Sequence, residues 1–403
     1  MNGRRDLKDV VCCLTDALGS QAGALTSHLA TRLAPLLVDN SQRTLATPAE
    51  STASPLSAPI DGLRRLPGPR ILHWWVTRFC PRRCRYCYGP TITGGRAADS
   101  TLNRAELRSI ITEAAALGAR TLLLTGGEPL LRRDLPEIIG DAIAAGVTPL
   151  LTTKMPISCS LAQRLGKAGI AHMALSLDSV DPQASRNLIG SAAYPNQVRR
   201  SASNLTATGV AFSIQAVVPI SAAPPLDDLA EFAHDIGARS LLLMEQEATP
   251  VTPNDSGQAA DTAWPERRLD ALRDVLAMRF PKLKVDVFYP RSIPSDAADG
   301  VRCDIGFTRM FFLPDGTVHR CYKLIDDVGL AGKNLRTTSV AAAWHDGTFA
   351  RLLVPPADDY ADTVCGQCSD FETCQSQGRC IAEAAMRHGR YAERDRNCRW
   401  ADA

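Results

Sequence analysis

The sequence predicts an α/β fold, a parallel sheet of six strands with helical crossovers followed by a small cysteine-rich α+β region. Three observations predict it. Between residues 71 and 246 six short apolar runs alternate with helical patterns. Those runs are nearly continuous in apolar residues, as strands covered on both faces of a sheet are. After residue 301 long apolar runs give way to seven cysteines, from Cys303 to Cys398.

In chain order, residues 1–38 read as helical, because Leu7, Val10, Val11, Leu14 and Leu18 share one face and Leu25, Leu29, Leu33 and Leu36 continue it. Cys12 and Cys13 fall inside that pattern and have no partner at ligand spacing, so they read as small buried hydrophobes. Residues 39–70, rich in Pro, Ser, Thr and Ala, read as a linker. Strands are expected at 71–77, 120–125, 147–153, 172–178, 211–218 and 240–246 in residues 71–250. Helices are expected between them at Asn103–Leu117, Leu135–Ala145, Ser160–Lys167, Asn196–Thr208 and Leu226–Ile236, with Glu106 placed as in a capping box. Parallel strands joined this way take right-handed crossovers. A connecting segment, 251–300, holds a loop and a helix from Glu266 to Met278, and 301–403 is the cysteine-rich region.

Charge excludes some partners. Lys and Arg number 45 against 43 acidic residues, a net charge of +2 over 403 residues, which leaves no electrostatic footprint for nucleic acid or an anionic membrane. No run approaches the roughly 20 apolar residues of a membrane span, and the N-terminus MNGRRDLKDVVCC lacks a signal-peptide core. The expectation is a cytoplasmic protein. There, thirteen cysteines point to metal or cluster ligation rather than disulfides.

The residues that bear chemistry follow strands. FCPRRCRYC follows the first, GGEP the second, and SLDS closes the fourth, the end of the strands where α/β folds gather ligands. Cys80, Cys84 and Cys87 lie in one loop with no fourth Cys or His nearby, since His73 is inside the preceding strand. Structural zinc takes four closed ligands. A four-iron cluster on three thiolates keeps one iron open for another ligand.

With its CxxxC, one residue, an aromatic (Tyr86) and Cys87, this stretch resembles the signature of the radical SAM superfamily, and the resemblance spans residues about 71–246. It implies a partial (β/α)6 TIM-like barrel and a [4Fe–4S] cluster whose open iron chelates S-adenosylmethionine. One-electron cleavage of the sulfonium then yields a 5′-deoxyadenosyl radical. Gly126, Gly127, Glu128 and Pro129 look like the family's GGEP element, which contacts the methionine amino group; taken alone they read as a turn. Ser176 and Asp178 are similar to the family's contacts to ribose and methionine carboxylate, against strand-end hydrogen bonding as the plainer reading. Thr152, Thr153 and Gln215 are weaker members of the set, and Thr-Thr-Lys at 152–154 departs from the Thr-Asn-Gly of many relatives.

Cys303, Cys321, Cys365, Cys368, Cys374, Cys380 and Cys398 resemble the SPASM extension of the same superfamily, over residues about 301–400, with a longer loop between Cys374 and Cys380. That resemblance implies two auxiliary [4Fe–4S] clusters, one on Cys365, Cys368, Cys374 and Cys398, the other on Cys303, Cys321 and Cys380. The latter either keeps an open iron or is completed by Asp304, Asp315 or His319. Zinc at the CxxC pair is the competing reading.

The resulting expectation is a radical SAM oxidoreductase that matures a ribosomally made peptide by crosslinking or oxidation, supplied by a low-potential flavodoxin or ferredoxin. Oxidation or epimerisation of a small molecule is the alternative, and a zinc-organised or electron-carrier protein a third. Residues 1–38 lack the strands of the leader-binding winged helix that many peptide-modifying relatives have. Cys159, after the third strand, would return a hydrogen atom in an epimerase, or else is a buried inert thiol. Glu245 and Glu247 read as solvated carboxylates near the barrel mouth.

Overall fold

The computed structural model describes residues 66–87, 89, 101–218, 226–246, 268–288, 303–347, 353, 355–376, 379–395 and 398. The chain divides into Met1–Leu56 and Ser57–Ala403, and the described residues all lie in the second unit. The helix expected over 1–38, Cys12, Cys13, most of the linker and Glu247 fall outside them.

Apolar runs bounded by glycine turns form the six expected strands: β1 (Ile71–Trp75), β2 (Thr121–Thr125), β3 (Thr148–Thr153), β4 (His172–Ser176), β5 (Ala211–Val218) and β6 (Ser240–Glu245). Helices α1 (Arg104–Ala116), α2 (Leu135–Ala144) and α3 (Cys159–Lys167) alternate with the first four strands. The capping box at α1 is complete, with Asn103 Oδ1 accepting from Glu106 N at 3.0 Å and Glu106 Oε2 accepting from Asn103 N at 2.7 Å. One apolar stripe of α1, Leu107, Ile110, Ile111 and Ala114, is buried against the sheet.

Between β4 and β5 the chain makes two helices, α4 (Pro182–Ile189) and α5 (Tyr194–Thr206), where the sequence suggested only the second. Only Ser185 and Ile189 of α4 are buried, so it has little apolar period to read. Its ends hold it instead: Asp181 Oδ1 caps Ala184 N at 2.7 Å, and Gly190 at φ 79° closes the C-terminus. Helix α6 (Leu226–Asp235) precedes β6, and α7 (Arg268–Arg279) leads to a further strand, β7 (Lys284–Phe288).

All seven of these strands are parallel, and the sheet does not stop at β1. Strand β8 (Arg309–Phe312) pairs parallel with β1, Ile71 opposite Arg309 and His73 opposite Phe311. A hairpin turns through Gly316, at φ +95°, into β9 (Thr317–His319), which is antiparallel to β8, and β10 (Ala331–Asn334) follows. The order is β10-β9-β8-β1-β2-β3-β4-β5-β6-β7. The connecting segment and the cysteine-rich region thus each add strands to one sheet.

Side chains sort by the two-residue period. Leu72, Trp74, Leu122, Leu124, Leu151, Leu175 and Ile214 point to the helices and form the main core. On the other face Trp75 and Phe311 form a second cluster with Ile305 and Ile325. Trp74 stacks on Phe312 with centroids 6.3 Å apart and planes 11° apart. A short helix, α8 (Val340–Trp344), ties back to α1 through Ala341 N to Glu113 Oε1 at 3.1 Å. The last described helices, α9 (Phe371–Ser376) and α10 (Ile381–His388), lie among the final cysteines. Among the described residues no helix is long and apolar enough to cross a membrane.

Because Phe312 is fully buried against Trp74, Phe312→Ala should destabilise the fold by about 3–5 kcal/mol. A denaturant midpoint unchanged from wild type would show that the β1–β8 seam is not held by this pair.

Candidate active site

Three segments converge where β1, β2 and β3 end. The loop after β1 carries Cys80, Cys84 and Cys87, all partly buried, with Cys87 N bonded to Cys84 O at 3.1 Å. The Gly126–Pro129 turn is pressed against this loop: Gly127 N donates to Thr77 O at 2.6 Å and Glu128 N to Phe79 O at 2.9 Å. No side chain fits at either glycine. A Cβ on Gly126, at φ +115°, would sit 1.5 Å from Trp75 Cδ1, and one on Gly127 would sit 2.1 Å from Phe79 O. The glycines therefore allow the two loops to touch, a role beyond the ligand approach suggested by the motif.

Glu128 is only 1% exposed. Its carboxylate accepts from Thr153 Oγ1 at 2.7 Å, Leu130 N at 3.0 Å and Lys154 N at 3.1 Å. Burial pushes its pKa up against the pull of those donors. The carboxylate fastens the turn after β2 to the end of β3.

A second buried carboxylate fastens the cysteine loop to β4 and β5. Tyr86, buried, donates its hydroxyl to Asp178 Oδ2. Asp178 Oδ1 accepts from Val217 N at 3.0 Å, and Lys154 Nζ lies 3.0 Å from Asp178 Oδ2 and 4.9 Å from the Tyr86 ring centroid. Burial pulls the Lys154 pKa down, but Asp178 and the sulfurs of Cys84 and Cys87 outweigh it and the net shift is upward. Lys154 directly follows β3, and its role was not foreseen. Arg82 and Tyr194 were also missed: Arg82 lies 4.7 Å over the Tyr194 ring with Nε donating to Lys154 O at 3.2 Å, and Tyr194 Oη donates to Ser176 O at 2.9 Å.

Thr152, Ser176 and Gln215 share the face of the sheet opposite the main core. Ser176 stands beside Gln215 in register, and Thr152 Oγ1 donates to Gln215 Oε1 at 3.3 Å. Cys159 begins α3 and is exposed, with Gln163 Nε2 3.6 Å from its sulfur, rather than buried as the inert reading expected. Glu245 is buried, not solvated.

The later cysteines fall into two neighbourhoods. Cys303 lies close enough to Cys321, and both of these to Cys380, to add to the raised pKa of Cys321 and Cys380. Burial, the larger cause, takes Cys321 to about 11 and Cys380 to about 12. Of the suggested fourth ligands, Asp304 is held by Arg309 at 2.8 Å, and Asp315 accepts from Thr317 N at 2.9 Å. His319 has Nδ1 2.9 Å from Cys321 O and Nε2 3.0 Å from Asp327 O. In the other neighbourhood Cys365 and Cys368 form a turn, Cys368 N to Cys365 O at 3.2 Å, with Cys374 and Cys398 nearby. Asp395 joins the two, its carboxylate accepting from Cys380 N at 2.7 Å and its carbonyl from Cys398 N at 3.1 Å.

Among the described residues every cysteine is free, and no three His, Cys, Asp or Glu side chains are drawn as close as the ligands of one bound metal ion. Burial raises the Cys84 thiol and takes Cys80 to about 11, with a backbone N–H of Arg82 opposing at Cys80. Sets of soft donors, sheltered and flanked by fixed cations, fit iron–sulfur clusters. The glycine-floored turn and the hydroxyl and amide groups at the strand ends fit a nucleotide-sized ligand beside the first set.

Comparison with known proteins agrees with this geometry. The radical SAM superfamily model matches residues 75–233, and the SPASM model, an iron–sulfur cluster-binding domain, matches 303–369. The PqqA peptide cyclase of Xanthomonas campestris pv. campestris (strain 8004) is 27% identical over 331 residues, 79% of this chain and 84% of the relative. That of Ruegeria pomeroyi is 26% identical over 323 residues, 79% and 85% of the two chains. Among solved structures, Streptococcus suis SuiB bound to S-adenosylmethionine has a TM-score of 0.65 at 17% identity, covering 82% of this chain and 77% of that one. SuiB bound to its precursor peptide SuiA also has a TM-score of 0.65, at 16% identity, covering 83% and 76%. The sheet, the three-thiol loop and the two matched domains lead to one conclusion: the chain belongs to the radical SAM superfamily and carries a C-terminal SPASM iron–sulfur cluster-binding domain.

Proposed function

We propose that this chain cleaves S-adenosylmethionine reductively and uses the 5′-deoxyadenosyl radical to abstract hydrogen from a ribosomally synthesised peptide, which it crosslinks or otherwise oxidises. The observation that carries this reading is the three-thiol loop laid on the Gly126–Pro129 turn, a donor set one ligand short of a closed site. Cys80, Cys84 and Cys87 would hold a [4Fe–4S] cluster, whose chemistry when bound with S-adenosylmethionine is one-electron cleavage of the sulfonium.

The chain's own residues do the positioning. Gly126 and Gly127 bring the turn against the cysteine loop, and Glu128 and Asp178 pin that turn and that loop to the sheet. Thr152, Ser176 and Gln215 offer hydroxyl and amide groups to the ribose and methionine moieties. Burial of Tyr86 and Trp75 excludes water from the floor. Cys365, Cys368, Cys374 and Cys398 would hold one auxiliary [4Fe–4S] cluster, and Cys303, Cys321 and Cys380 the other. Because Asp304, Asp315 and His319 are engaged within the chain, an open iron at the second is the reading we favour.

A peptide substrate is supported by the relatives, which are named as cyclases of the PqqA peptide or solved with the precursor peptide SuiA. Delivery of electrons falls to a low-potential flavodoxin or ferredoxin in the cytoplasm, where free thiols persist.

Anaerobic reconstitution should give about twelve irons per chain, three four-iron clusters. Cys84→Ala should abolish 5′-deoxyadenosine formation by the reduced protein, measured by chromatography; turnover surviving in that variant would sink the proposal. Incubation with S-adenosylmethionine, reductant and a short peptide encoded beside the gene should remove two hydrogens from the peptide by mass spectrometry, and an unchanged mass across all such peptides would reject the substrate class. Lys154→Met should cost about 3–5 kcal/mol in chemical denaturation, because Asp178 would keep a buried charge without its cation.

A further inference from the structure

Two arginines of the C-terminal region are buried against ligand sulfurs. Arg320 is 1% exposed and donates from Nη1 to Cys303 Sγ at 3.2 Å. Arg379 is 6% exposed and donates from Nη1 to Cys365 Sγ at 3.1 Å and from Nε to Gln375 Oε1 at 3.0 Å. Its guanidinium carbon lies 4.8 Å from the centroid of the Tyr360 ring and 5.0 Å from that of Phe371. A guanidinium keeps its proton in any protein and is seldom buried without an anion. One such cation meets each of the two cysteine neighbourhoods, on different elements: Arg320 directly after β9, Arg379 directly before Cys380.

The loop after β1 is built otherwise. Of the cations there, Lys154 is paired with the Asp178 carboxylate at 3.0 Å, so most of its charge is matched before any ligand binds, and Arg82 donates to Lys154 O and Gln197 Oε1 rather than to a sulfur. Potentials of iron–sulfur clusters follow their net charge, their exposure and the hydrogen bonds to their sulfurs. A nearby cation favours the more negative, reduced form, and an N–H on a ligand sulfur withdraws charge in the same sense. Stacking on two rings also fixes the Arg379 fork in place, so the bond to sulfur requires little reorganisation.

We propose that Arg320 and Arg379 are the resident counter-cations of the two auxiliary clusters, each raising its cluster's midpoint potential through one N–H···S hydrogen bond and thereby placing both above the cluster on Cys80, Cys84 and Cys87. This rests on the reading that those thiols hold iron–sulfur clusters. Both guanidiniums remain charged where they sit, since arginine keeps its proton in a protein. Neither arginine is asked to touch the substrate; they act through the ligand sulfurs as positioning residues.

The test is a redox titration of the reconstituted full chain followed by electron paramagnetic resonance, on wild type, Arg379→Gln, Arg320→Gln and the matching Lys variants. In each Gln variant the reduced-to-oxidised ratio of the corresponding auxiliary cluster should fall at least tenfold at fixed potential, about 59 mV for a one-electron couple. The signal of the cluster after β1 should not move, and Lys should recover part of the shift. A Gln variant with full iron and an unmoved potential overturns the proposal. Where a Gln variant loses its iron, the Lys variant decides. Iron retained with less than a tenfold change in ratio upholds the role of the charge; iron lost, or a tenfold or greater fall, overturns it. Wild-type protein that binds no iron at these thiols would instead remove the reading of the sites and the proposal with it, whereas an unmoved potential removes the proposal alone.

Discussion

The parallel pairing of β8 with β1 is the contact on which the arrangement of the thiols depends. Strand β1 has β2 on one side and β8 on the other, and the first cysteine loop leaves from its end. Strand β8 lies between Cys303 and Cys321 in the chain, so this one register brings the first two C-terminal thiols beside the sheet that holds the first loop. Two kinds of contact support it. Trp75 meets Phe311 at 6.0 Å between centroids, and Phe311 meets Tyr322, the residue after Cys321, at 6.3 Å. Arg78, before the first cysteine, pairs with Asp326 at 2.5 Å, but both side chains are partly exposed. An exposed pair contributes about 0–1 kcal/mol, whereas aromatic burial contributes several times that. The apolar seam holds the register, and the ion pair refines it.

On that frame two buried carboxylates serve as ties, and they manage their charge differently. Asp178 has a cation within 3.0 Å together with a backbone N–H and a phenol. Glu128 is held by one hydroxyl and two backbone N–H groups, and burial has pushed its pKa upward. Removing any member of such a network exposes the others to the full desolvation penalty, so each tie defines a geometry more sharply than an apolar contact of equal size. Lys154 belongs to both, through its backbone N–H to Glu128 and its ammonium to Asp178. The cysteine loop and the glycine turn are thus coupled by the one residue that follows the third strand.

Much of the fold was legible because its signals are local. Continuous apolar runs marked β1 to β6 within two residues at each end, and the Asn103–Glu106 pair marked the start of α1. Elements without a local signal were not. Helix α4 buries two residues of eight, β7 is a five-residue strand beyond a long loop, and β8 to β10 are four, three and four residues long. Strand β8 takes its place through a partner more than two hundred positions away, which no periodicity reveals. At the site the same division holds. Cysteine spacing and the double glycine could be read directly, but the uses of Glu128, Lys154, Arg82 and Tyr194 depend on which strand ends meet. Glu245 misled for the opposite reason, since a carboxylate at a strand end looks solvated unless its face of the sheet is known. Cys159 misled because a residue that opens a helix can sit on its outer side.

The C-terminal SPASM domain is organised around sulfur and buried charge as well as apolar contact. Beside the residues it lends to the main core, among them Val340, Trp344 and Leu353, its separate buried cluster among the described residues is Cys321, Leu330, Ile381 and Ala382, few side chains to order the cysteine-bearing segments by burial alone. Alongside these stand seven sulfurs, two buried guanidiniums and Asp395 bridging the two neighbourhoods. Burial raises Cys321 to about 11 and Cys380 to about 12, so without a metal these two thiols are held neutral. Ligation by a metal cluster would remove those protons, place negative charge on sulfur beside the arginines and crosslink segments distant in sequence. Binding of such clusters would on that ground be coupled to the folding of this region.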